Sequence, residues 1–171
     1  MEPWTILGSL VLGYVAVTGA RPTDPFREQH AELRTHLAHL STRLGALASV
    51  PAAEQRALML EIVAFLDSHV RPHAQWEERV LYALVDRKAG GGTGITATMR
   101  HEHRIVDRWI DELAAEAARP QPDPRAFGRR AHNLLGLLQA HFEEEEEVLL
   151  PVLDRTMSRD EFMQAMGPSH P

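Results

Sequence analysis

The sequence predicts an all-α protein: an antiparallel up-down four-helix bundle with a short C-terminal fifth helix and a separate apolar N-terminal segment. Three observations predict this fold. Apolar residues recur at three- and four-residue steps along four long segments, which is the spacing of the buried face of a helix. Short loops rich in glycine or proline separate these segments. No stretch of the sequence alternates apolar and polar residues as a half-buried β-strand does.

Residues 1–22 are predicted to form an apolar segment, separate from a single bundle domain over residues 23–171. Residues 4–20 carry no charge and, as a helix, would extend about 26 Å, slightly less than a hydrocarbon core of about 30 Å. They form either a membrane anchor or a helix that packs on the bundle or on a second copy. Because Arg21 and Arg27 follow this segment, we expect a cytoplasmic bundle, whether tethered or free.

The first helix of the bundle is predicted from about Phe26 to about Ala48. Its apolar face, extended backwards by three residues from Leu33, reaches His30, so this histidine shares the core face with leucines. These leucines are Leu33, Leu37, Leu40, Leu44 and Leu47.

The second helix is predicted to begin near Pro51, since proline favours the first turn, and to end near Lys88 before the glycine-rich loop 89–94. Pro72 removes a backbone hydrogen bond and predicts a kink just before His73. The residues predicted to face inward are Leu58, Ile62, Phe65, Leu66, His69, His73, Glu77, Val80, Leu81 and Leu84.

The third helix is predicted over about 95–118 and the fourth over about 124–157, with Asp123 as the N-cap of the fourth. Ser158 opens a capping box for the short fifth helix, which ends at Gly167. The inward residues are predicted to be Met99, His103, Val106, Ile110 and Leu113 on the third helix, and Leu134, Leu137, Leu138, His141, Glu145, Val148 and Leu149 on the fourth.

Two blocks of the sequence, 68 residues apart, repeat one pattern. His73 and His141 each precede a glutamate, Glu77 or Glu145, by four residues. On a helix this spacing places both side chains on one face, about one turn apart. Apolar residues continue each block, so the imidazole and the carboxylate point into a core where they are costly without compensation. The repetition predicts a metal centre that the helices share.

Each of the four long helices contributes one inward histidine, and two of them add a glutamate. Six ligands exceed what one tetrahedral zinc uses, whereas two iron or manganese ions fit this number. The Glu-x-x-His pairs of ferritin-like di-iron bundles are absent from the sequence. The predicted metal ligands are His30, His73, Glu77, His103, His141 and Glu145.

The composition excludes several other classes of site and partner. There is no cysteine, which excludes disulfides, thiolate metal sites and cysteine nucleophiles. Any bound metal is therefore held by nitrogen and oxygen atoms, which suits iron, manganese and zinc. The formal net charge of −6 argues against nucleic acid as a partner.

From about Thr23 to Met166 the chain resembles the hemerythrin-like proteins of the HHE cation-binding family. The residues that carry the resemblance are Glu28-Gln-His30, His73-x-x-x-Glu77-Glu78-x-x-Leu-Tyr82, Glu102-His103 and His141-x-x-x-Glu145-Glu146-x-Val-Leu-Leu-Pro151. The resemblance implies a four-helix bundle around a non-haem di-iron centre, with an oxo or hydroxo bridge. It implies terminal ligation by His30, His73, His103 and His141 and bridging carboxylates at Glu77 and Glu145.

The chain departs from the oxygen-carrying members of that family at two positions. Asp107 stands where those proteins have a second histidine on the third helix. Glu145 follows its histidine by four residues, where those proteins have an aspartate after five. The resemblance therefore implies altered iron coordination, which favours reaction with peroxide or nitric oxide, or iron sensing, over simple oxygen carriage.

Further polar residues near the predicted ligands are candidates for additional ligation or for hydrogen bonds to the ligands. These candidates are His69, Glu78, Asp107 and Glu144. Four other histidines lie off the apolar faces and are expected to contact solvent: His36, His39, His101 and His132.

The leading prediction of function is a non-haem di-iron protein that binds or reacts with dioxygen, hydrogen peroxide or nitric oxide. Its enzymatic form would be a catalase-like or peroxidase-like activity, in which the metal supplies the chemistry. The alternative is an iron-dependent sensing or regulatory module without catalytic turnover. A structural bundle that holds no metal is the third hypothesis.

Overall fold

A computed structural model of the protein describes residues 20–92 and 94–167, and every regular element in these ranges is helical. The all-α prediction is confirmed. Four long helical segments and one short helix follow each other, and their bounds lie within a few residues of the predicted ones. They are α1 (Asp24–Gly45), α2 (52–88), α3 (Ala97–Ala118), α4 (124–156) and α5 (Arg159–Met166).

Contacts along the bundle show that neighbouring long helices run in opposite directions. Phe26, at the start of α1, stacks on Trp76 in the second half of α2, with ring centroids 5.9 Å apart. Arg43, near the end of α1, pairs instead with Glu61 in the first half of α2. Equivalent pairs join α2 to α3 (Arg71–Asp111 and Asp86–Arg100), α3 to α4 (Glu102–His141 and Glu112–Arg130) and α4 to α1 (Glu146–Arg34 and Asp154–Arg27).

Two apolar clusters fill the core and leave a polar layer between them. The larger cluster holds Leu37, Val70, Val106 and Leu138 among its buried residues. The smaller cluster holds Phe26, Leu81, Met99 and Leu149, and α5 contributes Phe162 and Met166 to it. Along each long helix a buried, inward histidine lies between the two clusters.

π-helical turns interrupt the two helices that carry the repeated blocks. They lie at Leu66–Val70 and Glu77–Leu81 in α2 and at Glu145–Leu149 in α4. Such a turn holds one extra residue and rotates the following residues by about 100° relative to a regular helix. The irregularity predicted near Pro72 corresponds to the first of these turns, Leu66–Val70, which ends just before Pro72.

The π-helical turns overturn two predicted inward positions. Val148 was expected to continue the apolar face of α4, but it is 53% exposed and Leu149 and Leu150 are buried instead. His69 was expected to face inward, but it is exposed and Val70 takes its place. In both cases the extra residue of the turn moves the buried face by one position.

The predicted helix ends are confirmed. The Asp123 side chain caps α4 by accepting hydrogen bonds from the backbone N–H groups of Arg125 and Ala126. Ser158 and Glu161 form the capping box of α5, and Gly167 ends that helix with a φ of 73°, a conformation that favours glycine.

The four histidines expected to face solvent, His36, His39, His101 and His132, are exposed.

Within residues 20–92 and 94–167, no helix combines the length and apolar character needed to cross a membrane. The predicted anchor over residues 4–20 lies, up to residue 19, outside the described ranges. Membrane attachment and the division at residue 22 therefore stay predictions.

Candidate metal centre

The polar layer of the core brings together all six predicted ligands. Four imidazoles, one from each long helix, surround two carboxylates from α2 and α4. No side chain of the six is more than about a twentieth exposed. The six residues are His30, His73, Glu77, His103, His141 and Glu145.

Glu77 contacts imidazoles from three helices with its two oxygen atoms. Its Oε1 atom lies 2.8 Å from His73 Nε2 and 3.4 Å from His30 Nε2. Its Oε2 atom lies 3.2 Å from His103 Nε2. The carboxylate therefore spans two histidine pairs: a first pair, His30 and His73, and a second pair, His103 and His141.

Glu145 spans the same two pairs from the opposite helix. Its Oε2 atom lies 3.3 Å from His30 Nε2 in the first pair, and its Oε1 atom lies 3.8 Å from His141 Nε2 in the second. Potential ligand atoms of Glu77 lie within 4.8 Å of those of each histidine pair. The six side chains thus form two groups that share their carboxylates.

The inner atoms of this cluster are suited to hold cations. His73 Nε2 and Glu145 Oε2 are buried and accept or donate no hydrogen bond of good geometry. Nε2 of His103 lies only 2.9 Å from Nε2 of His141, so two ring nitrogens converge on one point. Buried polar atoms of this kind are costly unless they are compensated. Imidazole nitrogens and carboxylate oxygens together fit iron, manganese or zinc.

Carboxylates outside the cluster fix the orientation of three imidazoles. Nδ1 of His30 lies 3.0 Å from Glu146, and Nδ1 of His141 lies 2.7 Å from Glu102. Nδ1 of His103 lies 3.2 Å from Glu78. An ionised carboxylate can only accept, so each Nδ1 carries a hydrogen, and Nε2, directed at the cluster, is the ring nitrogen left for a cation. This arrangement is typical of histidines that ligate metals.

A comparison with protein families decides the identity of this domain. The model of the hemerythrin HHE cation binding domain matches residues 21–153, which include all six clustered residues. The chain belongs to this hemerythrin family. No curated protein and no solved structure matches the chain.

The hemerythrin domain contains a buried phenol, Tyr82, which ends the first repeated block but for which the sequence predicted no role. Tyr82 is fully buried, and its hydroxyl donates a 2.7 Å hydrogen bond to Glu145 Oε1. The Tyr82 hydroxyl oxygen also lies 3.2 Å from His103 Nε2 and 3.3 Å from His141 Nε2. Tyr82 therefore adds an oxygen atom to the second histidine pair only. Because Tyr82 lies five residues after Glu77, across a π-helical turn, regular helical spacing does not predict that its side chain faces the cluster.

Glu146 and Glu102 were also missed as partners of the ligand histidines. Glu146 follows Glu145 as Glu78 follows Glu77, so the repeat in the sequence could have revealed it. Glu78, a predicted candidate, does lie against a ligand imidazole, that of His103.

The hemerythrin cluster does not include the other three candidates. His69 faces outward because of the π-helical turn, stacks on Phe65 and contacts Ser68. Asp107 points away from the cluster and pairs with Arg71. Glu144 lies on the exposed face of α4, since its neighbour Glu145 occupies the inward face.

Burial and charge act against each other on the titratable groups of the cluster. Burial lowers the pKa of His30, but hydrogen bonds and charges of Glu146 and Glu77 outweigh it, and the pKa is raised. The pKa of His103 is raised in the same way by Glu77 and Glu78. Burial raises the pKa of Glu146, yet hydrogen bonds from His30 and Arg34 lower it to about 2.

The pKa values of the two spanning carboxylates shift in opposite directions. Burial and the charge of Glu77 hold the pKa of Glu145 well above its usual range. Burial also opposes ionisation of Glu77, but the charge of His73 and hydrogen bonds from His103 and His30 bring its pKa well below that range. One negative charge is therefore easily held without a cation, whereas two require more positive charge in the layer.

Proposed function

We propose that this hemerythrin-family protein holds two iron ions between its four long helices and binds or reacts with a small oxidant: dioxygen, hydrogen peroxide or nitric oxide. One observation carries the proposal. Glu77 and Glu145 each offer one oxygen to the first histidine pair and the other oxygen to the second. Two cations placed there would each receive two ring nitrogens and two carboxylate oxygens.

The donor set favours iron over the other candidates. A pair of cations held by shared carboxylates and terminal imidazoles is a common arrangement for iron, with an oxo or hydroxo bridge between the two ions. Manganese accepts the same donors, whereas zinc in structural sites keeps to four ligands and one ion. Bound iron would supply the Lewis acidity and the redox chemistry that the side chains lack.

The chain contributes geometry, proton control and exclusion of water. Glu146, Glu78 and Glu102 hold three imidazoles with their Nε2 lone pairs inward. Tyr82 holds a proton on its phenolic oxygen beside the second histidine pair, where a small oxidant or its product can accept a hydrogen bond. The apolar clusters on either side restrict access to small molecules.

The proposal includes a catalase-like or peroxidase-like activity, since Asp107 and Glu145 depart from the pattern of the oxygen carriers. Turnover of peroxide would make the protein an enzyme. A stable and reversible adduct without turnover would instead make it a binding or sensing protein.

Metal analysis combined with optical spectra tests the proposal. Iron-loaded protein is expected to hold two irons per chain and to show an oxo-bridged di-iron spectrum that changes on addition of oxygen or peroxide. The His73→Ala variant is expected to lose one of the two irons and this response, whereas His101→Ala, which alters an exposed histidine of α3, keeps both. Wild-type protein without stoichiometric iron, manganese or zinc after loading would overturn the proposal.

For localisation we propose a cytoplasmic bundle, tethered to a membrane by residues 4–20. The supporting features are the uncharged apolar composition of this segment and the arginines that follow it. Fractionation without detergent should recover the full-length chain with membranes and a variant lacking residues 1–22 in the supernatant. Recovery of both proteins in the supernatant would contradict the tether.

A further inference from the structure

Two arginines occupy equivalent places in the two halves of the bundle. Arg27 on α1 and Arg100 on α3 each lie three residues before an inward histidine, His30 or His103. Each arginine reaches across to a neighbouring helix and contacts a π-helical turn that carries a spanning glutamate. The proposed function assigns no role to either.

Arg27 joins the start of α1 to the π-helical turn of α4. Its Nη2 atom donates to the backbone carbonyl of Glu146 at 3.2 Å and to Asp154 Oδ2 at 3.2 Å. Asp154 in turn accepts hydrogen bonds from the backbone N–H and the hydroxyl of Thr23, and Thr23 also contacts the Arg27 guanidinium. The arginine is only 14% exposed, so the whole arrangement is held firmly.

Arg100 makes the same set of contacts in the other half. Its Nη1 atom donates to the backbone carbonyl of Glu78 at 3.2 Å, and its Nη2 atom donates to Asp86 Oδ2 at 3.2 Å. The hydroxyl of the fully buried Thr96 donates to Asp86 and accepts from Arg100 Nε. The guanidinium also lies over the Tyr82 ring, 5.3 Å from its centroid.

The π-helical turn of α4 explains why a donor is needed at Glu146. The Leu150 N–H, which in a regular α-helix would serve the Glu146 carbonyl, donates instead to Glu145. The next residue, Pro151, has no N–H to donate. The Arg27 guanidinium supplies the hydrogen bond that neither backbone position provides.

The π-helical turn of α2 creates the same need at Glu78. The Tyr82 N–H, the regular α-helical donor to the Glu78 carbonyl, donates instead to Glu77. The Arg100 guanidinium donates to the Glu78 carbonyl. Each arginine thus contacts the residue next to a spanning carboxylate, and that residue's own side chain orients a ligand histidine.

We propose that Arg27 and Arg100 are positioning residues that hold the two π-helical turns, and thereby aim Glu145 and Glu77 into the metal centre. Without a donor at the carbonyl, the turn can regain regular α-helical hydrogen bonds and rotate its glutamate away from the histidines. The effect on metal binding rests on the proposed metal centre, whereas the support that the arginines give to the turns requires no metal.

The two arginines act on different sides of the centre. Arg27 supports Glu145 and, through Glu146, His30 of the first histidine pair. Arg100 supports Glu77 and, through Glu78, His103 of the second pair. Because each carboxylate serves both cation positions, loss of either arginine should weaken both, and most strongly the position whose histidine that arginine also supports.

Binding of Fe²⁺ by the full-length protein, measured by equilibrium dialysis without oxygen, tests the consequence. Arg27→Leu and Arg100→Leu are each expected to weaken one of two bound irons by about tenfold or more, as loss of an outer partner of metal ligands does. The corresponding Arg→Lys variants keep one donor and should recover part of the affinity. Arg43→Leu and Arg104→Leu are the matched controls. Arg43 of α1 pairs with Glu61, and Arg104 of α3 donates to the backbone carbonyl of Arg100 and lies beside His101, so neither of these contacts involves the cluster or a π-helical turn.

Amide hydrogen exchange of the metal-free proteins tests the hold on the turns directly. Once a turn is released, its amide switches between two carbonyl acceptors and is open in between. The amides of Leu150 in Arg27→Leu and of Tyr82 in Arg100→Leu are therefore expected to exchange about tenfold faster than in wild-type protein and in the controls. Unchanged exchange in folded variants, including Arg→Lys, would overturn the inference even if two irons bind. Faster exchange in a protein that binds no iron would support the hold on the turns while the proposed function fails.

Discussion

Tyr82 donates its phenolic hydrogen to Glu145, although the two residues lie 63 positions apart in the chain and on different helices. In the second repeated block the residue equivalent to Tyr82 is Leu150, which is buried in an apolar cluster. The hydroxyl therefore makes the two histidine pairs unequal. The Tyr82 hydroxyl can hold a proton beside the second pair, whereas the equivalent residue, Leu150, offers the first pair no hydroxyl.

Replacement of Tyr82 by phenylalanine should separate its chemical role from ligation. The free energy of unfolding of the metal-free Tyr82→Phe protein is expected to fall by about 1–3 kcal/mol, because Glu145 loses a buried hydrogen-bond donor. The iron content should stay at two, since the six imidazole and carboxylate ligands remain, while peroxide consumption slows. Denaturant unfolding, metal analysis and peroxide assays check these outcomes, and an unchanged peroxide rate would exclude the proposed role of the phenol.

Removal of a spanning carboxylate should be more damaging than removal of one imidazole. Glu77→Ala takes an oxygen ligand from both cation positions, whereas His73→Ala takes a nitrogen from one. Metal analysis should find fewer than one iron in Glu77→Ala and about one in His73→Ala. Glu143→Ala, an exposed position of the same acidic region on α4 as Glu145, serves as the control. Equal iron content in the two ligand variants would argue against shared carboxylates.

Iron should stabilise the folded protein, because all six ligands converge only when the four helices are packed. Fe²⁺ at 100 times its dissociation constant is expected to add about 2.7 kcal/mol to the free energy of unfolding. The midpoint of thermal unfolding should rise with Fe²⁺ but not with Mg²⁺, which binds imidazole poorly. A midpoint that does not respond to Fe²⁺ under anaerobic conditions would contradict a metal centre in the polar layer.

The fifth helix should make stability depend on pH in acid. Hydrogen bonds from the backbone N–H and hydroxyl of Ser158 lower the pKa of Glu161. A lowered folded-state pKa means that this contribution is present above the unfolded-state pKa and is lost as the pH falls through the folded-state pKa. Thermal midpoints of wild-type protein and of Glu161→Gln are therefore expected to converge on acidification. Parallel midpoints across this range would show that the capping box contributes no pH dependence.

The helices and the six clustered residues could be predicted because they follow regular helical spacing. Apolar residues on the same faces as His30, His103 and His141 recur at ordinary three- and four-residue steps. A carboxylate four residues after a histidine falls on that same face. These features depend on local sequence alone, so the sequence suffices to predict which six side chains meet in the core.

The positions that could not be predicted follow the π-helical turns. Such a turn depends on a donor from another helix, as Arg27 and Arg100 supply, and on a proline such as Pro151 that removes a regular backbone donor. Regular helical spacing carried across the turn places Val148 inside and gives Tyr82 no inward position. Contacts between distant segments, which no local pattern contains, therefore decide which side chain follows the spanning carboxylate into the core.

Neither half of this chain possesses a complete site, although each half repeats the same pattern. The helical hairpin of α1 and α2 supplies the first histidine pair and Glu77, but the second oxygen for that position comes from Glu145 on α4. The hairpin of α3 and α4 depends in the same way on Glu77. Neither half can therefore bind metal fully without the other. A fragment or a partly folded chain presents an incomplete set of donors, and all the donors meet only in the fully folded bundle.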